Sequence, residues 1–238
     1  MENISTIFSN HFYEFRKDKI QLIFFVAWTV VTLAWSILNG MGLSGAEYWE
    51  YPRQVAPVLG IVIAGGPMIV IFALVFAKHR ENGYVSSVKP ISYFLGVGAF
   101  YAILNMIMAV YIALVGAISG LAIVNFIILV LLATICAMLI GAIIAVLAVD
   151  SKTALMASYP FALVFVLVFK YRNGVPAFQM ANPIRPFISW FYMERVNHML
   201  VEVHTGDFLI DALVVLGNIA VLVVVVAILH KVKNNNLS

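Results

Sequence analysis

Charge is what this chain has least of. Only 11% of its 238 residues are Asp, Glu, Lys or Arg, where a soluble domain carries about a quarter. With 63% hydrophobic residues the chain is neither a soluble domain nor a disordered one. Cysteine is nearly missing too. The single Cys136 rules out a disulfide framework within the chain and a cysteine-based metal site, and within its apolar run it reads as a small buried side chain. No G-x-x-x-x-G-K-[ST] phosphate loop occurs, so the chain has no recognisable way to bind ATP itself. Metal-ligand spacings such as H-x-x-x-H and C-x-x-C are absent. Residues 1–19 are polar and aromatic, without the short apolar core and small-residue cleavage site of a signal peptide.

What is present is long apolar sequence, with a mean hydropathy of +1.03. Crossing ~30 Å of hydrocarbon takes roughly 17 to 25 apolar residues in a helix. Charge-free runs predict spans over about 20–39, 55–77, 91–115, 121–149, 153–170 and 209–229. The third and fourth come from one charge-free run of 60 residues, Pro90 to Val149. As a single helix that run would be about 90 Å long, three times the hydrocarbon core. It must fold back, and Gly116 to Gly120, with Ser119 between, is where helix is weakest. The expectation is an all-α polytopic membrane protein, one transmembrane domain over 1–238.

Six spans put both termini on one side. Nine of the 14 Lys and Arg fall there and five on the other, which predicts cytoplasmic termini. The basic pI near 9.0 then reflects an inner face opposite anionic lipid, and a nucleic-acid partner is not expected. Before the first span, Ile4, Phe8, Phe12 and Phe15 share a helical face, which predicts an amphipathic helix over 1–19 lying in the interface. Between spans five and six, Pro176, Pro183 and Pro186 oppose helix. From Phe187 onward Ile188, Tyr192, Val196, Met199 and Val203 recur at helical spacing, predicting an extracellular amphipathic helix at headgroup level.

Several chemistries are excluded by placement. Gly42-Leu43-Ser44-Gly45 spells the motif of intramembrane serine proteases, but all five histidines lie in loops or at span ends, so no embedded base serves that serine. Ion-coupled carriers place ionisable groups at membrane depth. Here Asp150, Lys170, Asp207 and Asp211 sit at or near span ends. The interior polar groups are side chains such as Asn105, Asn125, Thr134 and Asn218, which commonly hydrogen-bond a neighbouring helix. Asn105 and Asn125 are the candidates for lining a transport path.

The loop 78–90 is the densest polar cluster between two spans. It carries Arg80-Glu81-Asn82-Gly83 and ends in Lys89-Pro90, while Asn182-Pro183 precedes an aromatic-rich stretch before the last span. In plan and in these motifs the chain resembles the membrane (permease) subunit of the type-2 ABC exporter family. Tyr84 stands where that family often has a threonine, and the threonine and glutamate that often open its coupling stretch are missing. The resemblance implies a permease working as a dimer with a second copy or paralogue, and separate ATP-binding subunits that carry ATP and Mg. It implies no cofactor and no catalysis in this chain. Arg80, Glu81, Asn82, Gly83, Lys89 and Pro90 would couple to those subunits. Apolar spans without charged lining favour an amphipathic or hydrophobic cargo, such as an antimicrobial or cytolytic peptide. An ATP-independent carrier or channel, or a non-transporting subunit of a membrane complex, are the alternatives.

Overall fold

The computed structural model describes residues 4–17, 30, 46–82, 90–115, 118, 120–174, 192–201 and 209–235. Seven helices account for nearly all of them: α1 (Ile4–Lys17), α2 (Ala46–Glu81), α3 (Pro90–Val115), α4 (Leu121–Leu147), α5 (Ser151–Gly174), α6 (Tyr192–Val201) and α7 (Leu209–Asn235). No strand occurs among the described residues. The protein is all-α, as expected. Three described helices are long and apolar enough to cross a bilayer, Ile91–Leu114 in α3, Leu121–Leu147 in α4 and Leu209–Val232 in α7, which makes this a membrane protein. The stretches 55–77 and 153–170 lie within α2 and α5. The expected first span, 20–39, and the Gly42–Gly45 motif lie outside the described residues.

The long charge-free run does divide at its glycines. Helix α3 stops at Val115 and α4 starts at Leu121. Between them Gly120 takes φ 61°, a left-handed conformation costly for any residue with a Cβ. The other end of α4 comes two residues earlier than the predicted 149. Ala148 turns extended (φ −66°, ψ 150°) after donating its N–H to the Ile144 carbonyl, and Asp150 then caps the next helix. Its Oδ1 accepts the Thr153 N–H at 2.6 Å, an N-cap contact that ends one helix by starting another. Helix α5 in turn runs to Gly174, through the charges at Lys170 and Arg172 that bounded the predicted span.

Helix α4 is the centre of the bundle. Its most apolar stretch is 67% buried, against 6% for that of α7. Its broadest partner is α2, and the two backbones come very close: a Cβ on Gly141 would lie 2.6 Å from the Phe72 Cβ and 2.9 Å from the Ala73 amide nitrogen. Two cores result. One gathers Ile7 and Phe15 of α1, Met68 to Ala77 of α2, Tyr93 to Tyr101 of α3, Ala137 to Ala145 of α4, Ala148 just after it and Ala154 of α5. The other gathers Ile61, Ile112, Phe126, Leu129 and Cys136 with Tyr192, Val196 and Met199 of α6 and Val215 of α7. Helix α1 therefore packs at the end of the bundle where α2 stops and α4 turns into α5.

Of the two short helices, α1 buries a face shifted from the expected one. In α1 the buried residues are Ile7, His11 and Phe15, one per turn at i, i+4, i+8, while Ile4 and Phe12 are 41% and 47% exposed. The cause is α3. Gly96 leaves room for Ile7, since a Cβ there would come 2.7 Å from the Ile7 Cγ2, and Phe100 and Tyr101 receive His11 and Phe15 edge-to-face. In α6, Tyr192, Val196 and Met199 share a face as the spacing predicts, and that face is buried against the bundle with Cys136 and Ala133. The predicted start of that helix, 187–191, and Val203 lie outside the described residues.

Candidate functional site

The densest polar structure in the described chain forms where α2 ends. Helix α2 carries Lys78, His79 and Arg80 in its last turn, followed by Glu81. Cations there complement the partial negative charge of a helix C-terminus. Arg80 also reaches the end of a second helix. Its Nη1 donates to the Ala145 carbonyl at 2.6 Å and, more weakly, to Val146 at 3.4 Å. Its Nη2 donates to the Ala148 and Val149 carbonyls, both at 2.8 Å. A helix leaves its last four carbonyls without intrahelical partners. One planar guanidinium here serves two carbonyls of the last turn of α4 and two of the residues just after it, a fork that a lysine cannot reproduce.

Glu81 makes the complementary contact. Its Oε1 accepts the Ser151 N–H at 2.5 Å, at the first residue of α5, where the helix dipole favours an anion. Adjacent residues of opposite charge thus hold the negative end of α4 and the positive end of α5. Asp150 sits between them, its carboxyl held below the usual carboxylate range by the Thr153 side-chain and backbone hydrogen bonds. The result is a clasp: the C-terminus of α2 is pinned to the turn between α4 and α5, more than 60 residues away in sequence.

Of the residues expected to couple to a partner, Arg80 and Glu81 are therefore joined in this clasp. Asn82 continues α2 by one turn contact, its N–H donating to the Lys78 carbonyl at 3.0 Å. Pro90 opens α3, where its missing N–H costs nothing. Gly83 and Lys89 lie outside the described residues. No family model and no curated protein matches this chain.

The two candidate path residues have different settings. Asn105 is 1% exposed and its Nδ2 donates to the Thr134 Oγ1 of α4 at 3.0 Å. The Thr134 hydroxyl in turn donates to the Val130 carbonyl at 2.8 Å. Asn105 is thus a buried link between α3 and α4, the commoner use of asparagine inside a membrane bundle. Asn125 is half-buried on α4, about 13 Å along the axis from Thr134.

Two features escaped the sequence reading. Arg195 of α6 donates to Asp211 of α7 at 2.7 Å, and Asp211 is 5% exposed. The sequence placed Asp211 only near a span end, and nothing in it paired residues 16 positions apart on separate helices. His11, assigned to a loop or span end, is a buried helical residue. Its spacing with Ile7 and Phe15 was the available signal.

Proposed function

We propose that this chain is the membrane-spanning permease subunit of an ATP-driven exporter of the type-2 ABC kind. In this reading six helices cross the bilayer with both termini cytoplasmic, α1 lies at the inner interface, and the subunit works as a dimer. ATP and Mg are bound by separate subunits, and no covalent chemistry occurs here. The observation that carries the reading is the clasp. A push on the short polar loop after α2 would reach α4 and α5 directly, because Arg80 and Glu81 hold the ends of both. The position of α1 supports it too, since α1 packs at that same end of the bundle. The apolar, uncharged spans favour an amphipathic or hydrophobic cargo, an antimicrobial or cytolytic peptide first.

Gentle solubilisation followed by co-purification tests the proposal. An ATP-binding subunit is expected to accompany the protein, and vesicles holding both are expected to export a cationic amphipathic peptide only when ATP is supplied. Purification without any ATPase, together with transport indifferent to ATP, would remove the exporter reading.

A further inference from the structure

At the α1 end of the bundle lies a cavity of about 270 Å³, lined by Ile7, Asn10, His11, Tyr13, Glu14, His79 and Tyr93. Its walls come from three helices, with His79 of α2 stacked on Tyr93 of α3, centroids 3.4 Å apart. We propose that this cavity binds a primary ammonium group of the phosphoethanolamine kind, seated between His11 and Glu14 and walled by the tyrosine rings.

The lining has one formal charge at neutral pH, Glu14. Burial pushes both histidines down to about 4, His79 further disfavoured by His11, so both are neutral imidazoles. An anionic, aromatic-walled pocket selects cations. The contact between His11 and Glu14 sharpens the selection. His11 Nδ1 lies 3.9 Å from Glu14 Oε2, too far for a hydrogen bond. The His11 ring also meets Phe100 and Tyr101 edge-to-face, and its Nε2 is buried with no hydrogen-bond partner among the described residues. The tautomer with its proton on Nε2 puts that N–H among these rings, away from Glu14. That tautomer leaves the Nδ1 lone pair turned toward a carboxylate. Two acceptors 3.9 Å apart repel unless a donor sits between them, and one ammonium nitrogen can reach both at about 2.8 Å. At the rim, Lys17 Nζ already lies 4.0 Å over the Tyr13 ring, where it supplies a cation for the phosphate of the same zwitterion. Exposed Phe12 and Tyr13, with Arg16 and Lys17 in the last turn of α1, suit a headgroup layer.

Native mass spectrometry of the full chain, delipidated and then offered equal phosphatidylethanolamine, phosphatidylcholine and phosphatidylglycerol, tests it. One phosphatidylethanolamine is expected to be retained in preference, because trimethylammonium has no N–H to donate. His11→Phe keeps an aromatic ring in the Phe100 cluster and removes the acceptor. It is expected to lower retention about ten-fold, the size of one charge-assisted hydrogen bond. Glu14→Gln is expected to lower it several-fold. Displacement by excess soluble phosphoethanolamine identifies a site for the free amine as well, and resistance to it identifies the lipid. Equal retention of the three lipids, or unchanged retention in both variants, overturns the proposal.

Discussion

Removing the guanidinium of Arg80 is the most direct probe of the clasp. Three of its bonds are short, at 2.6, 2.8 and 2.8 Å, and two of these are partly buried. A hydrogen bond involving an ionised group contributes roughly 1.5–3 kcal/mol where water is excluded. Water can replace part of it at a half-open site, so about 1 kcal/mol per short bond is the appropriate scale. Arg80→Ala is then expected to cost roughly 2–3 kcal/mol. Arg80→Lys keeps the charge but satisfies one or two carbonyls as a point donor, and should lose about half as much. In a chain of this size 1 kcal/mol moves a melting temperature by about 2–4 °C. Thermal denaturation in detergent, followed by loss of the monodisperse peak, should show a fall of about 5–10 °C for alanine and roughly half that for lysine. Arg16→Ala, on the exposed side of α1, is the control and should lie within ~2 °C of wild type. An alanine variant as stable as wild type, or a lysine variant no better than alanine, would refute the idea that the planar fork secures the end of α4.

Three further outcomes follow from the packing. Gly141→Ala should destabilise by about 1–3 kcal/mol, because its Cβ would meet the backbone at Ala73 and Ile69; Gly98→Ala should cost little, since its Cβ meets only the Met138 thioether, which can rotate away. The same melting assay separates the two. Thr134→Val should cost about 1–2 kcal/mol by stranding the buried Asn105 amide, and adding Asn105→Leu should restore most of it; a double variant no better than the single one would deny the pair. Acid should weaken the α1 end. Unfolded histidine takes its proton near 6.5, whereas His11 and His79 do so near 4, so between those values the unfolded state holds more protons and stability falls as pH drops. The loss is at most about 1.4 kcal/mol per pH unit for His11 and less for the partly exposed His79. A melting curve flat from pH 7 to 5, or unchanged acid sensitivity in His11→Phe, would contradict the assigned burial.

Local chemistry was legible in the sequence wherever a single stretch of chain decides the outcome. Continuous apolar runs dictated helices in lipid, because a helix satisfies its backbone groups within one stretch of chain, whereas barrel strands alternate polar and apolar residues. Gly116 to Gly120 marked the turn, and a left-handed residue stands there at Gly120. The polar residues after α2 stood out by composition alone. What they bind did not. Arg80 and Glu81 end their own helix in sequence terms, and only the approach of α2 to α4, permitted by the missing Cβ of Gly141, delivers them to the α4–α5 turn. The face that α1 buries was likewise chosen by its neighbour. Periodicity nominated Ile4, Phe8, Phe12 and Phe15. Of these Phe15 is buried and Phe8 and Phe12 meet Phe100 edge-to-face, while a gap at Gly96 and the rings of Phe100 and Tyr101 take in Ile7 and His11. Periodicity reports how hydrophobic a face is. Which face is buried depends on the shape of the surface opposite, and that surface exists only once distant helices have packed.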